Sequence, residues 1–115
     1  MLAREFRLRS AADIARAYKR GAYGGSGGAL SVKAVRSGRG QSRLVVVVAK
    51  KVSKRAVIRN RIRRRIVESL RERWATVVPG YDIVLSVHTD ISEMQASQIQ
   101  EHISRALSRA GVKAS

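Results

Sequence analysis

The chain contains no cysteine. Disulfides, thiolate metal sites and a cysteine nucleophile are thereby excluded, and a reducing compartment is compatible with the composition. The single proline, Pro79, is followed by Gly80, a pair that stops any helix reaching it. Aromatic side chains are scarce: Phe6, Tyr18, Tyr23, Trp74 and Tyr81 are all there are. No aromatic platform for reading single strands by sequence is visible among them. The longest unbroken apolar run, Leu44 to Ala49, is far too short to span a bilayer. The N-terminus carries Glu5 and lacks an apolar stretch of the kind that begins a signal peptide. The expectation is a soluble, cytoplasmic protein with no membrane partner.

Acids are the other deficit. Eight Asp and Glu stand against 24 Lys and Arg, giving a formal charge of +16 and a pI near 11.7. None of the acids lies near His88 or His102 at metal-ligand or triad-like spacing. No serine sits in a G-x-S-x-G elbow. Both histidines are isolated in sequence and read as structural or solvent-facing. Catalytic residues and a protein-held metal are therefore not expected.

What is present is a single domain's worth of chain, 115 residues with an ordinary apolar fraction of 44%. A charge of +16 opposes compaction by self-repulsion, so a polyanion is the expected partner. The charge has a centre. Lys50 to Arg73 holds eleven of the basic residues and only two acids, Glu68 and Glu72. Ile58, Ile62, Ile66 and Leu70 recur within it every four residues, the spacing of a helix that buries one side.

In chain order, residues 1–9 are basic with Phe6 and Leu8 as anchors, either packed on the body or forming a loose arm. Ser10 is placed to cap a helix, with Asp13 near its positive end, running through Ile14 and Tyr18 to about Gly21. Residues 21–28 (GAYGGSGG) read as a flexible connection. A phosphate cradle would need those amides to open a helix, and a strand is expected to follow instead. Residues 29–36 alternate as a half-exposed strand, and residues 36–41 read as a hairpin turn. Arg43 to Ala49, with four consecutive valines, suits a central strand. A helix over about Lys54 to Trp74, with Ser53 in its capping region, leads to a strand at 81–88. A last helix opens at Asp90 to Glu93 and stops at Gly111. Strand, basic helix, strand is a βαβ unit, so strands 43–49 and 81–88 should be parallel. The fold class expected is α/β (α+β): a sandwich of one mixed sheet with helices packed on it, in the order α-β-β-(β)-α-β-α.

A helical wheel at 100° per residue separates the faces of the basic helix. Ile62, Ile66, Leu70, Trp74 and Val67 share one arc. Asn60, Arg61, Arg64, Arg65 and Arg71 lie off it. Arg59 and Arg63 fall inside the apolar arc, so either they snorkel to its rim or the first turns overhang the sheet; the overhang is the expectation adopted. Glu68 and Glu72 are spaced for ion pairs with Arg64, Arg65 and Arg71. Residues 50–65 contain nine basic residues and no acid, whereas solvated helix faces mix signs. A membrane-surface helix would need an exposed apolar face, but here that face is required by the core. DNA reading would want base-reading side chains in a recognisable docking motif, and Asn60 alone qualifies. Structured RNA, read by shape and phosphate spacing, fits best; no DNA partner is expected.

The stretch VVVVAKKVSKRAVIRNRIRRRIVESLRE, residues 45–72, resembles the protein subunit of bacterial ribonuclease P. Arg59-Asn60-Arg61 is the heart of that signature. Ala56-Val57 before it and Pro79 to Asp82 after it also fit, and the resemblance extends over nearly the whole chain. It implies a two-layer α/β sandwich like a ribosomal-protein S5 domain, with a rare left-handed βαβ crossover. It implies the catalytic RNase P RNA as partner and precursor tRNA as substrate, with Mg²⁺ held mainly by the RNA and substrate for hydrolysis that releases the 5′ leader. Carried over by position, Lys50, Lys51, Lys54, Arg55, Arg59, Asn60, Arg61, Arg63, Arg64 and Arg65 would meet the RNA. The leader would lie in a cleft between the sheet and the first helix. The family usually has two aromatics on that helix and one on the strand at 29–36; here Ile14 and Tyr18 stand on the helix and the strand has none. The alternative from a different class is a structural RNA-binding protein of the ribosomal type.

Overall fold

In the computed structural model, which describes residues 2–113, a short 3-10 turn at Arg4–Phe6 precedes seven regular elements. These are α1 (Ala11–Arg20), β1 (Ala22–Gly25), β2 (Leu30–Arg36), β3 (Arg43–Val48), α2 (Ala56–Arg71), β4 (Tyr81–Val87) and α3 (Ala96–Arg109). Ser10 caps α1 as its position foretold, its hydroxyl accepting the Asp13 amide at 3.3 Å. The basic helix is shorter than the Lys54-to-Trp74 expectation. It is followed by a separate 3-10 turn at Trp74–Thr76. The last helix also starts later than expected. Asp90 instead accepts the Ser92 amide at 2.9 Å in the preceding turn. Gln95 and Gln98 then close a reciprocal capping box.

The strands form one mixed sheet in the order β1-β2-β4-β3. β3 and β4 are parallel, as the βαβ reading requires, and β2 is antiparallel to β4. Three expectations are corrected here. Residues 36–41 do not close a hairpin, because β4 lies between β2 and β3. β3 is an edge strand rather than a central one. Among the described residues its outer side meets the N-terminal segment, through the Arg7–Leu44 bridge and the Leu8 amide on the Leu44 carbonyl at 2.9 Å. Residues 21–28 are not a plain connection, since four of them form β1, paired with β2 from Ala22↔Ala34 to Gly25↔Ser31. Their glycines answer a packing demand: a Cβ on Gly24 would lie 2.2 Å from the Ala106 carbonyl oxygen of α3.

The main core fills the space between the sheet and the pair α2 and α3. Ile62, Ile66 and Leu70 from α2 and Ile99, Ile103 and Leu107 from α3 meet Val32, Leu44, Ile83, Leu85 and Val87. Each such aliphatic is stabilising by about 1.5–3 kcal/mol when fully buried. On the other face, α1 lies over β2 and β4, with Ala17 and Ile14 packed among Leu8, Val35, Val45, Val47 and Val84. The N-terminal segment is docked, not loose. Leu2 and Leu8 are buried, and the Phe6 and Trp74 rings sit 5.7 Å apart. Among the described residues no helix is long and apolar enough to cross a membrane.

Candidate nucleic-acid interface

The turn after β3 carries Lys50 and Lys51, and Lys54 and Arg55 lead into α2; all four are exposed. The Ser53 hydroxyl accepts the Arg55 amide at 3.3 Å, just ahead of the helix. Val57 is 58% exposed, and the first fully buried residue of α2 is Ile62. The opening turns are only partly free: Ile58 packs against the core, and the all-round exposure expected of Arg59 and Arg63 is not found. Both are half-buried and turned along the helix. Arg59 donates back to the Ser53 carbonyl at 2.9 Å, and Arg63 donates to Asn60 Oδ1 at 2.7 Å. No acid stands in the first turn of α2, so the positive end of the helix dipole adds to the field of these side chains.

Asn60, Arg61 and Arg64 are exposed. Arg65 differs from them. Its guanidinium donates to the carbonyls of Ser92 at 2.9 Å and Ile91 at 3.3 Å, tying α2 to the loop after β4. The ion pairs spaced for Glu68 and Glu72 do not form. Among the described residues, every pair within 4.0 Å involves Asp13 or Asp82. Arg63 and Arg64 also border a groove of about 470 Å³ beside β3, floored by Val45, Val46 and Val67.

On the opposite face, α1 is fixed to the sheet at both ends. Near its start, Arg43 of β3 donates to buried Asp82 at 2.9 and 2.8 Å and to Asp13 at 3.0 Å. The bond from Arg43 holds the Asp13 carboxyl below its usual range. Hydrogen bonding to Asp82 raises the Arg43 guanidinium in turn. Near the end of α1, Lys33 donates to the Tyr18 carbonyl at 2.9 Å, and the Tyr18 hydroxyl lies 3.5 Å from Ser86 Oγ. Of the two residues assigned to the cleft, Ile14 is half-buried in the packing under α1, while Tyr18 is 42% exposed. Beyond Tyr18 the α1 side of the sheet carries half-buried Val47 and Ser86 and exposed His88, toward the end where Leu30, Val48 and Val87 align. That end leads directly into Ala49 and Lys50, so this part of the face and the basic stretch adjoin.

Sequence reasoning missed the residues of β1 and β2 that share this face. The register sets Tyr23 opposite Lys33 and Gly25 opposite Ser31. Ser31 Oγ is 2.7 Å from His88 Nε2. The signal that could have found Tyr23 was its place in a Gly-interrupted strand, hidden by glycine's usual meaning. His102 is structural, its Nδ1 lying 2.9 Å from the buried Ser26 hydroxyl. Among the described residues no three His, Asp or Glu side chains are grouped to hold a metal ion.

Comparison with known proteins agrees with this geometry. The family model described as Ribonuclease P matches residues 2–111. A ribonuclease P protein component from Roseiflexus castenholzii is 36% identical over 110 residues, covering 95% of this chain and 88% of the relative. That of a Cyanothece strain is 31% identical, covering 97% of both chains. The solved RNase P protein of Staphylococcus aureus superposes with a TM-score of 0.82 at 28% identity, covering 94% of this chain and 97% of the other. That of Thermotoga maritima gives 0.79 at 26% identity, covering 90% of this chain and 96% of the other.

Proposed function

The chain belongs to the ribonuclease P protein family, and from that premise we propose that it binds the catalytic RNA of a ribonucleoprotein endonuclease and the 5′ leader of precursor tRNA. The observation that carries the reading is the acid-free stretch from Lys50 to Arg65, with exposed Lys50, Lys51, Lys54, Arg55, Arg61 and Arg64 at the start of a helix that follows β3. Lys50, Lys51, Lys54, Arg55, Arg61 and Arg64 supply exposed cations for phosphates, with Asn60 among them. Arg59 and Arg63 keep the surface charged while stiffening the helix entry. Tyr18 offers a ring edge to the leader, and Ile14 supports it from below.

The protein contributes no group for the chemistry in this reading. Hydrolysis of the phosphodiester belongs to the RNA in this reading, with Mg²⁺ held by RNA and substrate. Lowering the charge repulsion between two RNAs is the protein's electrostatic part. The setting is the cytoplasm, where precursor tRNA is made in bacteria.

The test is reconstitution with a bacterial RNase P RNA and a precursor tRNA at low Mg²⁺. Faster 5′ cleavage on adding the protein is expected. Binding to the RNA with no change in cleavage would overturn the proposal and favour a structural RNA-binding role.

A further inference from the structure

We infer that Tyr23, Lys33 and the Ser31–His88 pair form a nucleotide subsite on the outer half of the sheet face, one strand beyond the cleft under α1. The inference rests on the proposed leader binding and extends it to a specific place. Tyr23 is the most exposed large apolar side chain among the described residues, at 63%. Its exposure is not that of a loop residue, because it sits within a paired strand opposite Lys33. Side chains opposite each other in an antiparallel pair have Cβ atoms about 4.5–5.5 Å apart. A phenol ring and an ammonium thus stand side by side.

Gly25 makes room for that ring. A Cβ at Gly25 would lie 2.9 Å from the Tyr23 hydroxyl oxygen and 3.4 Å from Cε2, so the phenol lies along its own strand over the glycine. The hydroxyl end of the ring lies close to Gly25, and the side chain as a whole remains 63% exposed. Across from Gly25 is Ser31, whose hydroxyl pairs with His88 Nε2 at 2.7 Å. Ser31 is buried and His88 is exposed, so the imidazole is the reachable partner. Lys33 spends one of its three N–H donors on the Tyr18 carbonyl, and two remain. Stacking surface, cation and hydrogen-bonding imidazole thus converge on a patch with no acid among its four residues.

That combination fits one unpaired nucleotide. The base stacks on Tyr23, its phosphate meets Lys33, and His88 borders the base edge. A flat aromatic ring accepts any base, so the subsite adds affinity more than sequence preference. It also supplies, from β1, the sheet aromatic that β2 lacks.

The experiment uses the reconstituted holoenzyme and precursor tRNAs whose leaders are shortened one nucleotide at a time. Tyr23→Ala should weaken binding of long-leader substrate by about 5- to 150-fold, the range of one base–aromatic stack. Tyr23→Phe should bind as the parent does. Gly25→Ala keeps the phenol but displaces it, and should reproduce most of the Tyr23→Ala loss. Substrates with the shortest leaders should be indifferent to all three. The subsite is overturned if Tyr23→Ala binds long leaders normally, or if it weakens short and long leaders equally. Should the parent protein give no leader-length dependence at all, the proposed leader binding itself fails, which is a separate result.

Discussion

Arg43 and Asp82 meet in a two-pronged ion pair, 2.9 and 2.8 Å, at the point where the parallel strands β3 and β4 begin. Asp82 is wholly buried, and it is the only acid of the described chain that is. Removing Asp82 breaks both prongs and leaves the largely buried Arg43 guanidinium with Asp13 as its one remaining acid partner among the described residues. Asp82→Ala should therefore cost about 3–5 kcal/mol of stability. Urea unfolding followed by circular dichroism will read this, and a loss below about 1 kcal/mol would mean that water reaches Arg43 freely.

Acid should loosen the same cluster. The folded-state value of Asp13 is lowered, chiefly by its bond from Arg43. Its contribution is therefore complete above the ordinary carboxylate value of 3.8 and is lost as pH falls below that through the folded value. Asp13→Asn should be less stable than the parent at neutral pH. The difference should close as pH falls below 3.8, seen in melting temperatures across a pH series.

Arg61 and Arg65 lie four residues apart but should behave differently. Arg61 is exposed, so Arg61→Ala should weaken RNA binding and leave the melting temperature nearly unchanged. Arg65→Ala removes two bonds to backbone carbonyls and should cost about 1.5–3 kcal/mol as well. Equal melting temperatures for the two variants would show that the Arg65 clamp has no net value.

Ile62→Ala and Leu70→Ala should do the reverse of Arg61→Ala. Both side chains are buried against the sheet, and each truncation should cost about 2–5 kcal/mol. RNA affinity, measured well below the lowered melting temperature, should stay close to that of the parent.

Salt should weaken RNA association steeply. If about six to ten phosphates are neutralised, affinity should fall by about 10³–10⁵ between 50 and 200 mM monovalent salt. A shallow slope in a filter-binding titration would contradict the phosphate contacts assigned to the Lys50–Arg65 surface.

The apolar period of α2, the Ser10 cap and the parallel pairing of β3 with β4 were all legible from residue order. These features depend on local spacing or on a rule of connection. Sheet order was not legible, because valines at 45–48 satisfy an edge strand covered by Leu2 and Leu8 as well as a central one. β1 stayed hidden because glycine weakens a strand in general, while Gly24 is demanded by the approach of α3 from far along the chain. The basic surface was visible as composition. Its division into free cations and the anchored Arg65 needed the loop at Ile91 and Ser92, which no helical wheel contains. Tyr23 enters the proposed subsite through its register with Lys33.

The position of β4 between β2 and β3 sets a timetable. Those two strands have no contact with each other in the sheet and depend on residues 81–87 to be joined. A growing chain therefore makes its most basic helix before it makes the strand that completes the floor under that helix. Folding must wait for nearly the whole polypeptide and then close cooperatively, because the pairings that matter are distant in sequence. The RNA-facing helix is consequently a product of the finished domain, and a fragment ending before Tyr81 should not present it in working form.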